Sequence, residues 1–77
     1  MKMNTLDFIE KFAEAIEVEA SNLTADTEFR KLEEWDSMAY LSIIAMIDEE
    51  YDMQIEQLEF KKLPTIQSIM DYIEAHK

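Results

Sequence analysis

Asp36 and Ser37 stand side by side immediately ahead of the strongest apolar run in the chain, where a helix is expected to begin. A hydroxyl at that place lies at the positive end of a helix, beside backbone N–H groups with no intrahelical partner, which suits an attached or arriving phosphate. An aspartate there is free to assist with a metal or a proton. Either residue is also an ordinary N-cap, and taken alone the cap explains both residue types. The residues three places on, Ala39 and Tyr40, are neither Glu nor Gln, so a capping box does not account for the pair.

Other chemically able residues are fewer. Asp48, Glu49, Glu50 and Asp52 could gather calcium, but the chain lacks both a calcium-loop pattern and the glycine its sharp turn needs, so no metal is assigned. A solvated helix end explains them as well, although acids at a helix C-terminus oppose the macrodipole and hint at a use. His76 is assigned no role. With no cysteine there is no disulfide, thiolate zinc site or thiol nucleophile, and with no glycine there is no phosphate-cradling loop. No general base, nucleophile pair or metal cluster is visible, so no catalytic residue is assigned and the chain is read as not an enzyme.

The elements that must position Asp36 and Ser37 are helical. Leu6, Ile9, Phe12, Ala13 and Ile16 recur at helical spacing after Asn4 or Thr5, either of which is a good N-cap, predicting a first helix that ends near Glu19. Residues 20–36 have no sustained period, yet Leu23, Phe29, Leu32 and Trp35 are spaced as if pinning an ordered loop to a core. From Asp36–Ser37, the residues Tyr40, Ile43, Ile44, Ile47 and Tyr51 mark one face of a central helix. Met38, Leu41 and Ala45 lie on another side of it, available to a partner. Ile55, Leu58, Phe60 and Leu63 suggest a short helix or helical turn. Pro64 marks a break, and Thr65 caps a last helix striped by Ile66, Ile69, Met70 and Ile73, with a frayed end at Ala75–Lys77. Met46 and Met70 read as gap-fillers of the core. The expected buried set is Phe12, Ile16, Ile44, Ile47, Tyr51, Ile69 and Ile73. The fold class is thus all-α, a small bundle of three main helices plus one short helix, in a single domain over residues 1–77.

Seventy-seven residues allow one core and leave little chain for a deep enzyme cleft. Eighteen acids against seven bases give a net charge of −11, which argues against nucleic acid or anionic lipid and for basic partners. Neither a signal-peptide run nor a membrane-length apolar stretch is seen, so a cytoplasmic monomer without membrane insertion is expected.

Trp35–Asp36–Ser37–Met38, the helix Leu41–Ser42–Ile43–Ile44–Ala45–Met46–Ile47–Asp48–Glu49–Glu50–Tyr51–Asp52 and Leu63–Pro64–Thr65–Ile66 together resemble the acyl carrier proteins and related peptidyl carrier domains, over essentially the whole chain. The resemblance implies an acyl-carrier-protein-like bundle, 4'-phosphopantetheine joined to Ser37 in phosphodiester linkage by a phosphopantetheinyl transferase, and a thioester-bound acyl or aminoacyl cargo. It implies that Asp36 helps the transferase hold magnesium and coenzyme A. Its partners would include a loading ligase and an acyl transferase or synthase. Docking would use Met38, Tyr40, Leu41, Ala45, Asp48 and Glu49 against basic surfaces.

Three departures from the family pattern are seen, and the third bears on the pathway. Met38 replaces the usual Leu, and Glu34–Trp35 stands where many members have glycine and another apolar residue. Met38–Ala39–Tyr40–Leu41–Ser42 also lacks the acids that carriers of fatty-acid synthesis often show there. A stand-alone carrier of a dedicated pathway is therefore expected, in secondary-metabolite or surface-glycan assembly rather than housekeeping fatty-acid biosynthesis. The rival reading is an unmodified small acidic helical adaptor that uses Ser37 only as a cap.

So much like charge on so small a body repels itself, and salt screens that repulsion. The denaturation midpoint is expected to rise with added sodium chloride. A midpoint indifferent to salt would show that the acids are neutralised locally by their own neighbours.

Overall fold

A computed structural model describes residues 4–76; Met1–Lys2–Met3, which belong to the expected leaderless start, and Lys77 of the expected frayed end lie outside the described residues. The caps read in the sequence set the helix starts. Asn4 accepts the Asp7 N–H at 3.0 Å and opens α1, Thr5–Ile16. Asp36 opens α2, Ser37–Tyr51, and a single-turn α3 follows at Gln57–Phe60. Thr65 and Ser68 form a reciprocal capping box at the start of α4, Ile66–Ala75. Short 3-10 turns at Ala20–Asn22 and Phe29–Lys31 shape the long α1–α2 connection. The all-α bundle of three longer helices and one short one is therefore present. No helix among the described residues is long and apolar enough to cross a membrane.

Without glycine, α1 and α2 end on Glu17 and Asp52 in the left-handed region, at φ 59° and 52°. Each such cap costs about 1 kcal/mol relative to glycine, by the steric clash a Cβ makes there. α1 stops three residues short of the expected Glu19 because the Val18 N–H turns back to the Ala13 carbonyl at 3.0 Å.

One core joins all the elements. Of the expected set, Phe12, Ile16, Ile47, Ile69 and Ile73 are buried, while Ile44 and Tyr51 are half-buried at its edge. Two faces are rotated from the sequence reading. α1 buries Phe8 and leaves Leu6 71% exposed, since Leu6 lies about a quarter turn from the Phe12–Ile16 centre of that face. α2 centres its buried face on Ile43 and Ile47, taking in Ala39 and Met46, so that Tyr40 is half-buried rather than part of the core stripe. Leu58 is exposed as well, because α3 directs only Phe60 inward.

The long connection is tied down as its apolar spacing suggested. Leu23 and Phe29 are buried, and Leu32 and Trp35 pack against the core. The Gln67 and Ile66 N–H groups donate to the Ala25 and Thr27 carbonyls at 2.8 and 3.3 Å, so this loop also satisfies orphan donors at the start of α4. Arg30 holds the far side: its guanidinium donates to the Leu63 carbonyl at 2.7 Å and to the Phe60 carbonyl, and lies over the Phe29 and Phe60 rings.

Lys11 bridges α1 and α2, bonding Asp7 at 2.6 Å and Glu50 at 3.3 Å beside the Tyr51 ring. The hydrogen bond to Asp7 leads in holding the Lys11 proton well above its ordinary 10.5, and burial lifts the Tyr51 phenol above its ordinary 10.0. Both groups bind their protons more tightly when folded, so their stabilisation is complete at neutral pH and declines as the unfolded chain begins to lose protons. The thermal midpoint is expected to fall from about pH 9.5 to about pH 12, and to fall less steeply in Lys11→Met. An equally steep fall in that variant would remove Lys11 as a source of the alkaline loss.

Candidate functional site

Ser37 is the first residue of α2, and the two residues before it fix its place. Asp36 has an extended backbone, and its Oδ1 accepts the Ala39 N–H at 2.8 Å while its carbonyl accepts the Tyr40 N–H at 3.0 Å. The cap reading of Asp36 is thereby realised, and Oδ1 is committed to it. Trp35 lies in near-parallel stacks 6.4 Å from Phe12 and 6.2 Å from Phe60, and is tilted on Phe29 at 4.8 Å. Tyr40 meets Phe60 edge-on at 5.2 Å. Trp35 just before the cap and Tyr40 one turn after it therefore both rest on the buried Phe60 ring, which sets the angle at which the chain enters α2.

With the cap supplied by Asp36, the Ser37 hydroxyl is left exposed, and it makes no hydrogen bond to a described residue. Beside it opens a cavity of about 370 Å³. Asp36, Ser37 and Tyr40 form one side and Gln57, Phe60 and Lys61 the other, with Arg30 and Trp35 completing it. Burial pushes the Arg30 guanidinium below its ordinary value, a sign of the desolvation it bears among the rings.

The proposed docking residues divide between surfaces. Met38 is 68% and Leu41 58% exposed, and with Ala45 they form an outward stripe roughly opposite Ile43 and Ile47. Leu41, Ala45 and Asp48 border a groove of about 290 Å³ whose far wall includes Ile55 and Glu56. Glu49 instead borders a groove toward α1, with Lys11, Glu14 and Ala45. Tyr40 lines the cavity beside Ser37 rather than the outward stripe. Among the described residues, no group of three or more His, Cys, Asp or Glu is placed to hold a metal ion.

The sequence reading missed Arg30, Gln57, Phe60 and Lys61 at this site. Its one available signal was that Lys31 and Lys61 bound a stretch free of basic residues, which said nothing of a fold that returns Arg30 and Lys61 to Ser37.

Comparison with known proteins shows which family the chain matches. The profile of a family described as phosphopantetheine attachment site matches residues 7–73. An acyl carrier protein of Rubrobacter xylanophilus is 29% identical over 65 residues, covering 84% of this chain and 80% of that protein. An acyl carrier protein of Trieres chinensis is 31% identical over 62 residues, 80% of this chain and 78% of that one.

The division of labour between cap and hydroxyl has a direct test in the unmodified protein. Asp36→Ala is expected to lower stability by about 1 kcal/mol, or roughly 4–8 °C in thermal midpoint, with Asp36→Asn near wild type. Ser37→Ala is expected to stay within about 0.5 kcal/mol. A loss at Ser37 equal to that at Asp36 would reassign the cap.

Proposed function

The chain belongs to the phosphopantetheine-attachment family, and from that premise we propose that Ser37 is the residue bearing the arm in a single carrier domain over residues 1–77. It is a non-catalytic acyl carrier protein with covalent 4'-phosphopantetheine, served by a phosphopantetheinyl transferase and by acyl-handling enzymes. The observation that carries the Ser37 assignment is its exposed, unbonded hydroxyl at the first turn of α2, released from capping by Asp36 and opening on a cavity.

The surroundings fit the group. Arg30 and Lys61 offer cations to a phosphate, and Trp35, Tyr40 and Phe60 offer apolar walls to the chain that follows it. In the attachment step Ser37 Oγ bonds to the pantetheine-side phosphorus of coenzyme A. The pyrophosphate bond to 3',5'-ADP breaks, and the serine proton passes to a base on the transferase. Asp36, holding the turn with Oδ1, presents its carboxylate to the magnesium and coenzyme A of the transferase complex. The attached arm supplies a thiol on which an acyl or aminoacyl group travels as a thioester.

Partners read the outside of α2. Met38, Leu41 and Ala45 supply an apolar contact, and Asp48 and Glu49 supply negative charge that steers a basic surface and releases it readily in salt. An apolar rather than acidic first turn favours a dedicated pathway with its own ligase and transferase, acting on a monomeric carrier in the cytoplasm.

Intact-mass spectrometry after incubation with coenzyme A, magnesium and a promiscuous transferase tests the assignment. Wild type is expected to gain one phosphopantetheine and Ser37→Ala none, while Asp36→Asn, which keeps a cap, is expected to react about tenfold more slowly, ~1.4 kcal/mol in barrier. Failure of the folded wild type with every transferase tried would favour the unmodified adaptor.

A further inference from the structure

Five basic residues fall among the described ones, and they divide into two kinds. Lys11, Lys31 and Lys62 each pair with a carboxylate, on Asp7 and Glu50, Glu28 and Glu59 respectively. Arg30 and Lys61 pair with none. In a chain with eighteen acids, two cations without carboxylate partners are unexpected, and both border the cavity that Ser37 borders.

Arg30 is held in place before any ligand arrives. It is half-buried, lies 4.9 Å from the Phe29 ring centre and 5.1 Å from that of Phe60, and is tied to the Phe60 and Leu63 carbonyls. Those two bonds leave three of the five guanidinium N–H donors unspent, on a planar fork whose shape matches phosphate or carboxylate oxygens. A partly desolvated cation bonded only to neutral carbonyls gains from an anion more than a solvated one does. Lys61 adds a mobile point charge at the same cavity.

We propose that Arg30 and Lys61 form an anion seat for an acidic group on the arm, so that this acidic protein holds its modification at rest beside α3. The inference rests on Ser37 as the attachment residue. Two sources deliver the same chemistry: the phosphodiester on Ser37 Oγ, fixed next to the cavity, or a carboxylate on a short cargo folded back to it. Without such a seat, each further negative charge on a chain of net charge −11 lowers stability at low salt.

The test compares apo, holo, butyryl-loaded and succinyl-loaded full-length chain at low salt, each made from the matching coenzyme A compound and confirmed by mass. If the phosphate occupies the seat, the holo midpoint exceeds the apo midpoint by about 2–5 °C, and the Arg30 Nε–H NMR signal shifts on modification. If a carboxylate occupies it, that rise and shift appear only in the succinyl form. In either case Lys61→Gln removes most of the increment; since Lys61 is exposed and unpaired, this variant leaves the fold intact where Arg30→Lys also loosens α3. Midpoints that fall or stay level in both anionic forms, or an increment that survives Lys61→Gln, overturn the seat alone. A chain whose mass shows no group on Ser37 overturns the attachment reading and the seat with it.

Discussion

The ring of Phe60 is the contact on which the site depends. Phe29 meets it at 5.6 Å, Trp35 at 6.2 Å and Tyr40 at 5.2 Å, while the Arg30 guanidinium covers it and bonds its carbonyl. These groups come from the long connection, the cap approach, α2 and α3. A four-residue helix has no stability of its own, because nucleation costs more than one turn of hydrogen bonds returns. α3 therefore exists through Phe60 and Arg30, and the cavity beside Ser37 exists through α3. The chain needs this arrangement more than most, since it has neither glycine for tight turns nor cysteine for staples.

Electrostatics operate on two scales around that ring. At long range, Glu33, Glu34, Asp48, Glu49, Glu50 and Asp52 present a negative surface that no described cation but Lys11 tempers. At short range, Arg30 and Lys61 oppose it at one cavity. A Debye length of about 10 Å at 0.1 M salt separates the regimes: the outer field acts on approaching proteins and is screened, while a half-buried cation acts on neighbouring atoms and is screened little. A carrier has use for both. On the proposed reading, its partners arrive and leave under the first, and the seat holds its covalent group between visits under the second.

What was legible in the sequence was local. Thr65 is read correctly as a cap, and the structure chooses Asn4 over Thr5 and Asp36 over Ser37 from the pairs the sequence offers, because a cap is a contact between residues two or three apart. α2 runs as expected to Tyr51, and Pro64 breaks the chain ahead of α4. The errors arise where a helix face is assigned by period alone. Leu6 and Phe8 flank the same face of α1, and Phe8 is the one covered, with the Tyr51 ring 5.9 Å and the Phe12 ring 6.2 Å from it. Met46 and Met70 are buried as gap-fillers of the core, as read, whereas Ala39 is taken into the buried face of α2 without having been named in its stripe. Arg30 lay furthest out of reach, because its partners Phe60 and Leu63 are 30 and 33 residues away. For the same reason the motif residues Asp36 and Ser37 could be found from the sequence and the cavity beside them could not.

The limits of size explain why the chemistry resides elsewhere. Every phenylalanine and nearly all isoleucines are spent in the single core, and no buried polar or charged residue is present among the described ones. Catalytic groups are tuned by burial and by close charged neighbours, and Asp36 and Ser37 are exposed, with one bonded only to backbone and the other to nothing described. A body of this kind can position a group but has no desolvated site in which to transform it. Selectivity must then lie in what the surface shows, and the apolar stripe of Met38, Leu41 and Ala45 is the part of α2 that neither the core nor a cap requires. That stripe is the surface the proposed partner contact would use.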